Sequence, residues 1–106
     1  MAARFAVTLL LALTAMPPAL ADTVTVTQRG RMFEPAAVEI AVGDSIRIVN
    51  DDGDLLHHAY LEDPAFTFDI GEQAGGAAND VMFPVAGVFN VFCGIHPKMG
   101  LTVTVR

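Results

Sequence analysis

Three residues with metal-ligating side chains follow one another at regular spacing near the C-terminal end of the 106-residue chain. Cys93, His96 and Met99 form the pattern Cys-x-x-His-x-x-Met, and a further histidine is available upstream in the pair His57-His58. Thiolate, imidazole and thioether groups are ligands of transition metals. A loop this short can arrange its side chains around one point if a metal ion holds them there. The joint occurrence of these residues therefore predicts a metal site.

The donor types favour copper over the other metals that proteins commonly bind. Thiolate and thioether favour Cu(I), imidazole accommodates Cu(II), and one thiolate with two imidazoles and a weakly held thioether is typical of blue-copper sites. Zinc accepts Cys and His but gains little from a thioether. Iron–sulfur clusters usually need more thiolates than the single cysteine Cys93 supplies, and the haem-attachment pattern Cys-x-x-Cys-His is absent from the sequence. The sequence predicts one type 1 copper ion per chain.

The first 21 residues have the features of a secretory signal sequence. Arg4 gives a short positive region, the run from Phe5 to Met16 is almost entirely apolar, and a small-x-small pattern ends at Ala21. The apolar run of about a dozen residues is shorter than the ~20 that a membrane-spanning helix requires. We therefore expect cleavage after Ala21, export to the periplasm, and no stable membrane association afterwards.

Residues 22–106 are expected to form a single domain. Because Cys93 is the only cysteine, no disulfide can form within the chain, and a bound metal would protect the sulfur and add folding free energy. Five basic against twelve acidic side chains give this domain a formal net charge of −7. Such a charge is unsuited to nucleic acids and anionic membranes, which attract basic surfaces, and it suits docking to basic patches on other proteins.

Alternation of apolar and polar residues predicts β-strands throughout this domain, because successive side chains of a strand point to opposite faces. Turn residues separate the runs, and hardly any apolar spacing of 3.6 residues is present. The predicted strands lie near residues 23–27, 38–42, 45–49, 55–61, 66–70, 80–83, 87–92 and 101–105. About seven to eight short strands predict an all-β protein, an antiparallel sandwich or a small barrel.

The metal-binding loop lies between the last two of these strands, so both strands must position it. Alternation gives each strand one face that we expect to be buried in the core. These faces consist of Phe89, Val91 and Cys93 on one strand and of Leu101, Val103 and Val105 on the other.

With these motifs the chain resembles the cupredoxins, the small blue copper proteins that include plastocyanin, amicyanin and pseudoazurin. The spacing in the ligand loop is most similar to that of amicyanin. The resemblance extends over the mature domain, including the segment Met32-Phe33-Glu34-Pro35 with the Val-x-Ile-x-Val-Gly-Asp strand and turn after it, Asn50 before the histidines, and the run from Phe83 to Phe89. The segment from His57 to Gly71 is similar to plastocyanin-like proteins of methylamine utilisation.

The resemblance implies a cupredoxin-like Greek-key β-sandwich and assigns three ligands by position. It makes Cys93 the thiolate ligand, His96 the exposed histidine ligand and Met99 the axial ligand. The upstream ligand stays open between His57 and His58. The family usually has Asn after this histidine, and placing His57 on the ligand puts His58 at the Asn position and keeps the downstream residues in register. His57 is therefore favoured, with a small insertion before it.

The resemblance further implies transfer of single electrons between redox partners, such as a c-type cytochrome or an amine-oxidising dehydrogenase, by a monomer. His57 would be enclosed in the sandwich, and His96 would expose one ring edge as the route for the electron. Lys98, between two ligands, is interpreted as a solvated loop residue rather than a docking residue. The apolar rim expected around His96 consists of Leu55, Leu56, Ile95 and Pro97.

A copper carrier, an enzyme and a structural module with an accidental ligand set are the alternatives to electron transfer, and the structural module is not expected. A copper carrier or chaperone that delivers copper in the periplasm would use the same ligands, and it is the main alternative. An enzyme is not expected, because the chain has only three histidines and the predicted site uses two of them. None would remain to build a second copper centre or an open position for substrate.

Overall fold

The structure is a computed structural model that describes residues 20–106. The predicted signal sequence, residues 1–21, lies almost wholly outside the described residues, so cleavage after Ala21 stays a prediction. Within the described range, no helix has the length and hydrophobicity needed to cross a bilayer.

Nine β-strands are present in the described part of the chain. In chain order they are β1 (Thr23–Arg29), β2 (Met32–Glu34), β3 (Ala37–Ile40), β4 (Ser45–Asn50), β5 (His57–Leu61), β6 (Phe68–Gln73), β7 (Ala78–Met82), β8 (Gly87–Phe92) and β9 (Gly100–Val105). Eight of them correspond to predicted strands. The additional strand is β2, which the sequence did not predict because three residues are too few for alternation to be recognised.

The strands form two sheets, with the orders β2-β1-β4-β7 and β3-β9-β8-β5-β6. The prediction of a purely antiparallel arrangement is wrong for two strand pairs, since β1 runs parallel to β4 and β3 runs parallel to β9. Parallel neighbours cannot be joined by a hairpin, so each pair requires the chain to leave the sheet and return. Alternation along one strand carries no information about its partner's direction, which is why the sequence missed this feature.

One apolar core lies between the two sheets. Val26, Ile46 and Ile48 from the first sheet belong to the same buried cluster as the residues of β8 and β9. The predicted core faces of the last two strands are confirmed, because all six of these side chains are at most 3% exposed. The six are Phe89, Val91, Cys93, Leu101, Val103 and Val105.

The topology places the upstream histidines beside the ligand loop. The loop of residues 93–99 joins β8 to β9, and β5 is the other neighbour of β8. β5 runs antiparallel to β8, with Tyr60 opposite Phe92. Moving three residues back along β5 from Tyr60 therefore leads to His57, level with the loop that follows Phe92.

Candidate metal centre

His57, Cys93 and His96 meet at one end of the sandwich. Their ligand atoms all lie within 4.8 Å of one another. Among residues 20–106, these three residues form the one cluster of at least three His, Cys, Asp or Glu side chains that could hold a metal ion. The His57 and His96 Nδ1 atoms are 3.1 Å apart, and Cys93 Sγ is 3.9 Å from His96 Nδ1. His57 is fully buried, Cys93 is 1% exposed, and His96 is partly exposed.

Met99, the fourth residue predicted for the site, is 2% exposed and belongs to the core cluster. Its backbone N–H donates to the His96 carbonyl at 2.9 Å, which closes a tight turn between the two residues. Met99 and His96 line the same surface depression. The loop thus carries one side chain inward to the core and one towards the surface.

The spacing of these donors suits a single small ion. With bonds of about 2.0–2.1 Å to nitrogen and about 2.3 Å to sulfur, as for zinc, two nitrogens on one ion are at most about 4 Å apart and a nitrogen and a sulfur about 4.4 Å. The separations of 3.1 Å and 3.9 Å fall within these limits. A thiolate, two imidazoles and a nearby buried thioether form the donor set that copper accepts in both oxidation states.

The Asp52 carboxylate, on the loop before β5, binds the His57 ring nitrogen that points away from the other ligands. His57 Nε2 donates to Asp52 Oδ2 at 2.8 Å, and the same carboxylate accepts the backbone N–H groups of Gly30 at 3.0 Å and Arg31 at 2.9 Å. The bonds from Arg31 and His57 lower the pKa of Asp52 to about 2. An ionised carboxylate only accepts hydrogen bonds, so His57 carries its hydrogen on Nε2. The lone pair of Nδ1 is then directed towards His96 and Cys93.

His58 has both of its ring nitrogens engaged away from the cluster. Its Nε2 donates to Asp69 Oδ1 at 2.6 Å, and its Nδ1 accepts the backbone N–H of Gly94 at 3.1 Å. The bond from His58 is the main reason that the pKa of Asp69 is lowered. The ring also stacks on Tyr60, with centroids 5.2 Å apart. His58 therefore ties β5 to the residue after Cys93, and its Nδ1 has no free lone pair for a metal.

The loop before His57 is organised by a buried amide. Asn50 is fully buried, and its Nδ2 donates to the carbonyls of Leu55 and Gln73, both at 2.8 Å. Its Oδ1 accepts the backbone N–H of Asp52 at 3.1 Å. One side chain thus fixes both ends of the segment predicted to hold an insertion. This contact sets the position from which Asp52 reaches His57.

The surface next to His96 combines apolar groups with two basic side chains. A depression of about 350 Å³ is lined by Arg31, Ile95, His96, Pro97, Lys98 and Met99. Ile95 and Pro97 lie beside His96, as expected for the apolar rim, and Ile95 is 41% exposed. Leu55 and Leu56, the other two residues predicted for the rim, do not line this depression.

Three residues of this region escaped the sequence prediction. Asp52 and Arg31 lie in a loop and a turn, Asp69 lies on β6, and nothing in the spacing of these surface-type residues marks them. Arg31 in particular follows β1, far along the chain from the ligand loop. A carboxylate five residues before a candidate ligand histidine is the only local signal, and a polar loop explains such a carboxylate equally well.

Comparison with proteins of known structure identifies the fold. A copper-containing nitrite reductase from Thermus scotoductus SA-01 superposes with a TM-score of 0.72 at 29% sequence identity, over 79% of this chain and 22% of that one. A point mutant of amicyanin with Cu(I) gives a TM-score of 0.73 at 18% identity, over 79% of this chain and 82% of that one. A purple cupredoxin from Nitrosopumilus maritimus gives 0.70 at 22% identity, over 78% and 99% of the two chains.

These likenesses confirm the predicted cupredoxin-type β-sandwich. No protein-family model and no curated protein sequence matches the chain. The chain spans only about a fifth of the nitrite reductase but most of the length of the amicyanin and the purple cupredoxin. The protein thus has the cupredoxin fold, with His57, Cys93 and His96 gathered at one end of the sandwich.

Proposed function

We propose that this chain, which has the cupredoxin fold, transfers single electrons through one type 1 copper ion held by His57, Cys93, His96 and Met99. The observation that carries the proposal is the meeting of one thiol and two imidazoles within 4.8 Å, beside a buried methionine. Copper bound there would alternate between its two oxidation states. The protein would hold both states in one geometry, so that little rearrangement accompanies electron transfer.

Each ligand has a role that follows from its surroundings. His57 is buried and fixed by Asp52, so it keeps its position whether or not a partner is bound. Cys93 is 1% exposed at the end of β8, where it is shielded from oxidants. His96 is partly exposed, whereas the other three proposed ligands are at most 2% exposed, so its ring is the one that reaches the surface. We propose that electrons enter and leave along its ring.

The roles of His57 and His58 differ in this proposal. His57 Nδ1 faces the other donors, which supports it as the upstream ligand. His58 Nδ1 accepts from the backbone N–H of Gly94, which supports a structural role at the position where cupredoxins usually have asparagine. That bond ties the two ligand-bearing segments together.

Delivery of copper to another protein is the alternative, and the burial of the site argues against it. A carrier must open its coordination to release the ion, whereas His57, Cys93 and Met99 are each at most 2% exposed. Catalysis is not proposed, although one structural neighbour is a nitrite reductase that this chain matches over 22% of its length. With two of the three histidines used, no second set of imidazole ligands remains.

Absorption spectroscopy of the protein with Cu(II) tests the proposal. We expect one-to-one binding, an intense visible band from thiolate-to-copper charge transfer that colours the solution blue, and reversible bleaching by ascorbate. Cys93→Ser should abolish the band. His96→Ala, which keeps Cys93 but removes an imidazole ligand, should also lack it. A wild-type protein that stays colourless after reduction of any oxidised thiol would overturn the proposal. Rapid transfer of copper to a competing apo-protein, without reversible redox cycling, would instead favour the carrier.

The proposed setting is the periplasm, after cleavage of residues 1–21. Asp22 would become the first residue, and it already belongs to the fold: its N–H donates to Asp44 Oδ1 and its carbonyl accepts from Ser45, both at 2.9 Å. A cut after Ala21 would therefore remove no described strand. A monomer that meets a c-type cytochrome or an amine-oxidising dehydrogenase fits this setting, and mass spectrometry of the exported protein tests the cleavage site.

A further inference from the structure

Two basic residues beside His96 are absent from the ion pairs of the described chain. Residues 20–106 contain five basic side chains. Three of them pair with carboxylates: Arg29 with Asp51, Arg47 with Asp80 and Arg106 with Glu39. The remaining two, Arg31 and Lys98, are exposed and form no ion pair with the described residues. Both line the depression that exposes His96.

The position of Arg31 is fixed by the same carboxylate that holds His57. Its backbone N–H donates to Asp52 Oδ2, and its φ of 56° lies in the left-handed region, which a non-glycine residue enters only when its surroundings require it. The turn between β1 and β2 therefore presents Arg31 beside the ligand loop. Lys98 reaches the same depression from within that loop, between His96 and Met99. Two distant parts of the chain thus place cations at one surface.

The local charge at this surface is opposite to that of the whole protein. The mature domain has a formal net charge of −7, so a distant anion is repelled. Arg31 and Lys98 are the charged side chains that line the depression exposing His96, whereas the ionised Asp52 carboxylate accepts from His57 Nε2 and does not line that depression. Ionic strength screens the distant charges more than the near ones, since the Debye length is about 8 Å at physiological salt.

We propose that the surface of Arg31, Ile95, His96, Pro97 and Lys98 docks a redox protein whose cofactor edge is surrounded by Asp and Glu carboxylates. Ile95 and Pro97 give a small apolar contact around the His96 ring, and the two cations orient the partner by pairing with its carboxylates. The proposal rests on the function proposed above. It differs from what the acidic net charge alone predicts, which is a partner with a basic patch.

Oxidation of the reduced copper protein by two small complexes of opposite charge tests the sign of the charge at the surface around His96. The oxidants are hexacyanoferrate(III), an anion, and tris(phenanthroline)cobalt(III), a cation, and stopped-flow absorption follows the return of the blue band. We expect the hexacyanoferrate rate to fall as ionic strength rises, as for attraction, despite the net charge of −7. Arg31→Gln and Lys98→Gln should each lower that rate about threefold at low salt and leave it unchanged at high salt.

Arg47→Gln is the matched control, because it removes the same charge from an exposed arginine on β4 that pairs with Asp80 on the neighbouring strand β7. It should leave the hexacyanoferrate rate within about 1.5-fold of wild type, since its charge lies away from His96. A hexacyanoferrate rate that rises with salt, or equal losses in all three variants, would show that net charge governs approach and would overturn the proposal.

A ten-residue poly-aspartate peptide extends the test to a protein-like partner. In amide NMR spectra of the Cu(I) or metal-free protein, we expect the peptide to shift Arg31 and residues 95–98, and Lys98→Gln to weaken the shifts. Poly-lysine causing those shifts instead would overturn the proposal. Failure of the proposed function has a different signature: the protein would stay colourless, and the peptide titration would still decide the docking surface.

Discussion

At the residue scale, the two adjacent histidines, His57 and His58, differ in the hydrogen bonds that their rings form. The ring of His57 donates to Asp52 through Nε2 and turns Nδ1 towards His96 Nδ1, whereas the ring of His58 uses Nε2 on Asp69 and Nδ1 on Gly94. A histidine whose second nitrogen is held by a carboxylate has a fixed tautomer and a more basic ligand atom. The tautomers fixed by these partners therefore favour His57 as the ligand and give His58 a positioning role.

Substitution of each histidine separates these roles. His57→Ala should abolish the blue band, because it removes a ligand. His58→Ala should keep a blue site but bind copper about 10- to 100-fold more weakly, the usual loss when a group that positions a ligand is removed. His58→Asn should recover most of the affinity, since its side-chain oxygen can accept the Gly94 N–H. Copper titrations monitored by absorption check this, and a colourless His58→Ala beside a blue His57→Ala would reverse the assignment.

The charge of Asp52 should tune the copper site through His57. Asp52→Asn keeps a similar shape but replaces an anionic acceptor by a neutral one, so Cu(II) is stabilised less relative to Cu(I) and the reduction potential should rise. Copper affinity should fall about tenfold. Asp51→Asn is the matched control, because that neighbouring carboxylate is exposed and pairs with Arg29. Voltammetry checks the prediction, and equal shifts in the two variants would attribute the effect to net charge.

The sequence located the local part of the site better than the distant part. Cys93, His96 and Met99 were recognisable together because each lies three positions after the one before it. The Asp52–His57 contact depends on the shape of a loop, which Asn50 determines through hydrogen bonds to Leu55 and Gln73. Arg31 lines the same depression as His96 only because the two sheets bring distant segments to one end of the sandwich. Such contacts leave no periodic pattern in the sequence.

At the element scale, the loop before β5 is held against the turn between β6 and β7. Gly75 permits this approach, because a Cβ atom at that position would overlap the backbone oxygen of Gly53. The backbone N–H of Gly76 also donates to the Asn50 carbonyl at 2.8 Å. The two loops therefore form one unit, and that unit sets the position of Asp52 and the start of β5.

Gly75→Ala should separate these two loops. The overlap is with backbone rather than with a flexible side chain, so the loop must move, at about 1–3 kcal/mol of unfolding free energy. Because the moved loop carries Asp52, the blue band should also shift or weaken. Gly100→Ala is the control, since its nearest contact would be an ordinary 3.8 Å from the Phe92 ring. Urea unfolding of the metal-free proteins measures the difference, and equal stability of the two variants would contradict the prediction.

The length and alternation of each strand explain which strands could be predicted from the sequence. β1, β4 and β9 are six or seven residues long and alternate, so their existence was evident, and for β9 the buried face was named as well. Their partners were not evident, because the parallel pairing of β1 with β4 arises from the path of the chain through the second sheet. The alternation of buried and exposed residues fixes a strand's face, whereas tertiary packing fixes its neighbour.

At the scale of the whole molecule, a small domain without disulfides depends on its core and on the metal site for stability. A domain of this size buries a modest share of its surface, and its single cysteine forms no cross-link. The proposed site joins β5, the second strand from one edge of the five-stranded sheet, to the β8–β9 loop. A metal bound there would therefore hold together strands that pair with each other only around Tyr60 and Phe92.

Copper should raise the melting temperature of the whole domain for this reason. A ligand that binds only the folded state adds about 4 kcal/mol when its free concentration is about 1,000 times its dissociation constant. For a domain of this size each kcal/mol corresponds to about 4–8 °C, so a rise of more than about 15 °C is expected. Differential scanning calorimetry of metal-free and copper-loaded protein measures it. Cys93→Ser should lose most of the rise, whereas Asp51→Asn should keep it, because only the first removes a ligand. Equal melting temperatures of the copper-loaded and the metal-free wild type would mean that the ion does not bind the proposed ligands of the folded domain.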